Sequence, residues 1–175
     1  MARIYLSLGS NIQAETHILQ GLDALAKQFG ELILSPAVES EPVGFVGDNF
    51  INLMAVIHTD LPLKTLSQQL RQIEFDYGRE INAPKFSGRT LDIDVVMVDR
   101  LEGAHEGLTL PRKDLFEHGY MLYPMSLMEP ELVPPGQNLT TEQLWQGFSH
   151  DDQKLWLTPL IWQGTDISNG YSQEQ

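Results

Sequence analysis

The chain has 175 residues, 42% of them hydrophobic, with 24 acidic against 11 basic side chains, a formal net charge of -13 and no cysteine. That composition excludes disulfides and thiolate metal sites, and it repels nucleic acid and anionic membranes, because no Lys/Arg-rich run offsets the acidity. The apolar content suits a single domain over residues 1–163, followed by a polar, frayed tail at 164–175. No apolar run approaches the roughly eighteen residues of a membrane helix, and the N-terminus enters a strand pattern without a signal-peptide profile. The lack of cysteine fits a cytoplasmic protein, and a monomer is expected.

In chain order, Arg3 to Leu8 predicts a first strand, followed by a turn at Gly9-Ser10-Asn11. Ile18, Leu22, Leu25, Ala26 and Phe29 recur at three- and four-residue spacing, which predicts a core-facing helix closed by Gly30. Leu32 to Ser40 predicts a second strand, interrupted by Pro36 and therefore at an edge or bulged. The stretch EPVGFVGDN at 41–49 predicts a loop, and Ile51 to His58 a third strand. Leu63, Leu66, Leu70, Ile73 and Tyr77 trace a second amphipathic helix stopped by Gly78. Residues 80–88 lack periodicity and predict a loop, whereas Met121 to Met128 predicts a helix ending before Pro130. Strands alternating with two long helices predict an α+β fold, a mostly antiparallel sheet with helices packed on one face.

The segment RTLDIDVV at 89–96 carries the sharpest chemical signal. Leu91, Ile93 and Val95 alternate with Asp92 and Asp94, so the two carboxylates share one face of a strand, roughly 7 Å apart. Such a pair suits Mg²⁺, which takes one or two carboxylates together with substrate phosphates and water. By spacing alone a solvated face or an ion pair to Arg89 accounts for the pair more readily than a metal does. Basic residues are scarce in this chain, yet Arg79, Lys85 and Arg89 gather just ahead of the aspartates. Cations beside metal-binding carboxylates form the mixed-sign site that phosphoryl transfer uses.

Other signals are more ambiguous. Gly9 reads as a tight strand-to-helix turn, because no Gly-rich phosphate loop surrounds it. Phe50, Phe86 and Tyr120 fit either a core or a ligand; Phe86 lies in a polar loop, where a large aromatic has something to cover. Asn52 stands within an apolar strand, as a satisfied buried amide or as a partner for a heterocycle edge. The five histidines lack metal-ligand spacing, and no Gly-x-Ser-x-Gly elbow occurs.

Six ordered blocks, LSLGSN at 6–11, EPVG at 41–44, FIN at 50–52, IEFDYGR at 73–79, GRTLDIDVV at 88–96 and LPRKDLFEHGYML at 110–122, together resemble the 6-hydroxymethyl-7,8-dihydropterin pyrophosphokinase family over about residues 4–135. The resemblance implies a ferredoxin-like two-layer sandwich and transfer of pyrophosphate from ATP to the pterin hydroxymethyl group, releasing AMP, in folate biosynthesis. It implies that Asp92 and Asp94 hold two Mg²⁺ ions, and that Glu74, Arg79 and Arg89 serve the nucleotide. Phe50 and Tyr120 would sandwich the pterin, Asn52 would hydrogen-bond its edge, and Val43 and Phe86 would line the pocket. Loops 41–49 and 80–88 would close over both substrates.

The chain departs from the family pattern at three places. Arg112 stands where histidine is usual, His118 where arginine is usual, and Phe86 where tryptophan is frequent. Arg112 and His118 are read as exchanging roles on the ATP phosphates. The alternative is a weakly active or non-catalytic pterin- or nucleotide-binding paralogue on the same fold.

Overall fold

The computed structural model describes residues 1–77, 90–149 and 153–171. Strand β1 (Ala2–Ser10) is followed by helix α1 (Ala14–Phe29), short strands β2 (Ile33–Leu34) and β3 (Ala37–Ser40), strand β4 (Phe50–Thr59), helix α2 (Leu63–Asp76) and strand β5 (Asp92–Val98). All their pairings are antiparallel, in the order β5-β1-β4-β3, with β2 also on β4. A β-α-β-β-α-β chain path with the first and last strands paired at the centre and edge is the ferredoxin-like arrangement. Pro36 lies between β2 and β3, dividing one predicted strand into two pieces that pair at different points along β4.

Alternation along the strands sorts the sheet into two faces. Ile4, Leu6 and Leu8 of β1, with Leu53, Ala55 and Ile57 of β4, are fully buried with Ile18, Leu22 and Leu25 of α1 and Leu66 of α2. The two long helices therefore cover one face, as the periodicity predicts. Gly30 at φ 83 ends α1 in a backbone region that glycine adopts without strain.

The opposite face is divided. At one end Tyr5, Met54, Val56 and Val96 pack against Leu115, Met121 and Met125. The last two belong to helix α4 (Gly119–Met128), which follows the one-turn helix α3 (Asp114–Glu117). These short helices add a layer that the sequence reading of one helical face did not include. At the other end the same rows continue as Ser7 and Gly9 on β1, Asn52 on β4, and Asp92 and Asp94 on β5. Small and polar side chains there leave space between the sheet and the segments that face it.

Beyond α4, helix α5 (Thr141–Gln146) leads to strand β8 (Leu155–Thr158), which pairs with β3 and extends the sheet. Between β5 and α3 lies the hairpin of β6 (Gly103–His105) and β7 (Leu108–Leu110). Strands β9 (Ile161–Trp162) and β10 (Thr165–Asp166) form a second small hairpin. The expectation of a frayed chain over 164–175 is corrected for the described residues 164–171; residues 172–175 lie outside the described residues. The Ser168 hydroxyl donates to Thr158 O at 2.7 Å and accepts from Ala37 N at 2.9 Å, so the segment around Ser168 is hydrogen-bonded to β3 and β8. A local reading cannot see such bonds, because their partners lie far away in sequence.

Candidate active site

Register builds the site. Gly9 pairs with Asn52 on one side and Asp92 on the other, and Ser7 with Met54 and Asp94. Gly9 is therefore the penultimate residue of a strand, not the tight turn that the sequence suggests. A Cβ there would stand 2.5 Å from the Asn52 amide nitrogen, so a side chain would displace Asn52. Asn52 itself is 6% exposed and its amide reaches Leu8 O at 3.4 Å.

This end of the sheet floors a cavity of about 360 Å³. Phe50, Asn52 and Tyr120 line it, together with Val43 from the 41–49 loop and His118. Phe45 lines it as well and meets Phe50 edge-on, with ring centroids 6.1 Å apart. The His118 ring stacks on Tyr120 at 5.0 Å. Burial, reinforced by the negative charges of Asp114, Asp94 and Asp92, pushes the Tyr120 phenol up to about 12. It stays a neutral ring near pH 7. Val43 is 55% exposed and forms part of the rim.

A second cavity, of about 440 Å³, runs along β5, the strand at one end of the sheet order. Its walls are α2, through Ser67, Arg71 and Glu74, and the β6–β7 turn, through Glu106 and Gly107. Glu106 also accepts hydrogen bonds from the backbone N–H groups of Leu63 at 3.1 Å and Lys64 at 3.4 Å, capping α2, which has no side-chain cap of its own. Glu74, expected to serve the nucleotide, is 2% exposed and accepts from Ile93 N at 2.7 Å, with Arg71 Nε at 3.7 Å. It braces the residue between the two aspartates.

Asp92, Asp94 and Arg112 line both cavities. The backbone N–H of Arg112 donates to Val96 O at 2.8 Å, and its Nε donates to Asp114 Oδ2 at 2.9 Å. Burial works against the guanidinium charge, yet Asp94, Asp114 and Asp92 together raise its pKa above the usual value. Arg112 thus supplies positive charge to the aspartate face within the protein itself. His118 lines the aromatic cavity but not the one along β5, whereas Arg112 lines both.

Asp92 and Asp94 offer hard oxygen donors at the rim where the cavities meet, a donor set that suits Mg²⁺. Asp114, Glu117 and His118 bring one ligand atom each within 4.8 Å of one another, a cluster hidden from sequence spacing rules. Arg79, Phe86 and Arg89, with Lys85 and the 80–88 loop, lie outside the described residues. Sequence reasoning missed Phe45, Asp114 and the cavity-lining Gln153. Phe45 alone carried a signal, as an aromatic within a polar loop.

Known proteins match this arrangement. The model of the 7,8-dihydro-6-hydroxymethylpterin-pyrophosphokinase family matches residues 5–130. The chain is 29% identical over 160 residues to the 2-amino-4-hydroxy-6-hydroxymethyldihydropteridine pyrophosphokinase of Haemophilus influenzae, covering 89% of this chain and 99% of that one. It is 30% identical over 143 residues to the protein of the same name from Methylorubrum extorquens, covering 79% and 90%. A crystal structure of a triple mutant of Plasmodium falciparum HPPK-DHPS with SDX-DHP superposes with a TM-score of 0.63 at 16% identity. That match covers 83% of this chain and 44% of the larger protein, and it supports the fold. A family match over most of the chain, with the site's floor and the aspartate pair inside it, makes this chain a member of the 7,8-dihydro-6-hydroxymethylpterin-pyrophosphokinase family.

Proposed function

We propose that the chain transfers pyrophosphate from ATP to the hydroxymethyl group of 6-hydroxymethyl-7,8-dihydropterin, releasing AMP. The observation that carries this reading is the pair of cavities sharing Asp92, Asp94 and Arg112. A reaction between a flat apolar-faced heterocycle and a polyanion needs two unlike chambers opening on one charged rim.

The aromatic cavity takes the pterin. Phe50 and Tyr120 offer ring faces to it, and the Asn52 amide, with both donor and acceptor, suits its polar edge. Val43, at the rim, sits where the 41–49 loop can help exclude water from the bound heterocycle. The cavity along β5 takes ATP, with Glu74 holding the strand in place and Arg112 facing the phosphates. The hydroxymethyl oxygen bonds to the β-phosphorus as the bond from that phosphorus to the α-β bridging oxygen breaks, leaving AMP; the hydroxyl proton is lost from the attacking oxygen.

Asp92 and Asp94 are the residues that would hold Mg²⁺, two ions in this reading, whose chemistry when bound is to offset phosphate charge and align the attacking and leaving oxygens. Arg112 contributes fixed positive charge on the same rim, permanently, as guanidinium does not titrate near pH 7. Arg79 and Arg89 are proposed as further phosphate contacts and Phe86 as a pterin contact, on the family pattern. His118 is proposed as an ATP contact on that pattern only, since its place in the aromatic cavity favours contact with the pterin side.

The test is AMP release from ATP, Mg²⁺ and 6-hydroxymethyl-7,8-dihydropterin. Pterin-dependent AMP formation supports the reading. Tight pterin binding with no AMP would favour a binding paralogue instead.

A further inference from the structure

Helix α2 begins without a side-chain cap of its own. Pro62 stands at its N-cap, no acidic residue occupies its first turn, and the open N–H groups there need acceptors. Leu63 N and Lys64 N find them on Glu106, which is 43 residues beyond Leu63 and gives one carboxylate oxygen to each, at 3.1 and 3.4 Å. A negative charge placed at a helix N-terminus is favourable, so this carboxylate is directed at α2.

Glu106 is an unexpected residue for its backbone position. His105 pairs with Leu108, so Glu106 and Gly107 form a two-residue hairpin turn, with φ of 49 and 88. Such turns favour Asn, Asp or Gly at the first position, and a longer side chain carries a backbone cost there. Reach is the compensation. A side chain one methylene shorter stops short of α2, whereas Glu106 crosses from hairpin to helix.

That crossing lies at the site. Glu106 lines the cavity along β5, whose walls are α2 and this turn, and it also lines a more open groove of about 370 Å³ with Lys64, Gln68 and Phe75 of α2. Ser67 and Arg71 border both spaces. The Glu106 carboxylate therefore stands at the seam between cavity and groove, and its two hydrogen bonds fix how far apart the walls are.

We infer that Glu106 is a positioning residue for the nucleotide. It ties the β6–β7 turn to the first turn of α2 and so sets the width of the chamber that receives ATP. The inference rests on reading the cavity along β5 as the nucleotide site.

The test is calorimetric titration of a non-hydrolysable ATP analogue with Mg²⁺ into the full chain, then of 6-hydroxymethyl-7,8-dihydropterin into the analogue-saturated protein. Glu106→Asn suits the turn but loses the reach, and should weaken the analogue about three- to tenfold while pterin stays within twofold of the parent. Glu106→Gln keeps the reach and one acceptor oxygen, and should recover most of the affinity. Capping and tethering are separated by adding Pro62→Ser to Glu106→Asn. The Pro62 backbone, at φ -55 and ψ 144, is already extended as a serine N-cap requires. The double variant should regain the parent's urea midpoint and still bind the analogue weakly. Recovery of midpoint and analogue affinity together would overturn the inference, leaving Glu106 a helix cap alone. So would analogue affinity within twofold of the parent in Glu106→Asn, an equal loss of analogue and pterin, or a glutamine variant as weak as the asparagine one. A parent that binds no analogue would overturn the nucleotide reading itself, and this inference with it.

Discussion

The two cavities differ in what builds them. The aromatic cavity is floored by the sheet face and walled by rings and a loop, so its shape depends on cross-strand register. The cavity along β5 is walled by α2 and a hairpin turn, and its polar groups are anchored by helix capping and by one buried carboxylate. On the proposed assignment, the difference lets one small sheet receive two unlike substrates. A face can offer flat contact to a heterocycle, whereas the margin of a strand offers polar groups to a polyanion. Asp92 and Asp94 belong to both, because a strand at the end of the sheet has a face and a margin at once.

The largest effect should follow from breaking the shared rim. Asp92→Ala or Asp94→Ala should cost turnover on the order of several kcal/mol of barrier, roughly a thousandfold or more, since the polyphosphate loses an anchor. Circular dichroism should show a folded protein, because removing one of two like charges relieves repulsion. Near-normal AMP release at ordinary Mg²⁺ would break the comparison at its centre, leaving the cavities without a common reacting point.

The next effects should fall on one cavity only. Phe50→Ala or Tyr120→Ala should weaken pterin binding by about 1–3 kcal/mol, by analogy with base stacking on aromatic rings. Nucleotide affinity measured alone should stay within experimental error. If calorimetry shows nucleotide weakened and pterin untouched, the two chambers have been assigned the wrong way round.

On the other side, Glu74→Ala removes a buried acceptor from the Ile93 N–H, 2.7 Å away. Its loss should lower folding stability by about 1.5–3 kcal/mol, read as a shift in urea midpoint, and should weaken nucleotide more than pterin. An unchanged midpoint would mean that β5 holds its place without this brace.

What the sequence revealed, and what it hid, follows the same division. The aspartate pair was legible because strict alternation puts two carboxylates on one face whatever the strand pairs with. Both long helices were legible from their apolar spacing. Gly9 was misread as a turn, because its role comes from having Asn52 and Asp92 as neighbours, which only register creates. Glu74 was expected to serve the nucleotide; its bond to Ile93 spans nineteen residues of sequence and leaves no local trace. Strand β8 and the bonds of Ser168 were invisible for the same reason. Strand propensity reflects the surroundings a sheet provides, and a short half-buried segment declares little by itself.

The smallest effect tests how dry the aromatic cavity is. Burial and the nearby carboxylates raise the Tyr120 phenol from 10.0 to about 12 in the folded protein. The folded state therefore holds its proton to higher pH than the unfolded chain does. The sign follows: any stability linked to Tyr120 is complete below pH 10 and is lost as pH rises from there through the folded value. Tyr120→Phe cannot titrate, so its stability should be the less sensitive of the two to pH in that interval. Tyr5 is also raised, but it is present in both proteins and cancels in the difference. Urea midpoints of the ligand-free parent and variant at intervals from pH 8 to 11 make the measurement. The gap between them should be constant to about pH 10 and then narrow or reverse by about 1 kcal/mol by pH 11. Parallel curves throughout would mean that water and counterions reach the phenol freely, and the aromatic cavity would then be as wet as its neighbour along β5.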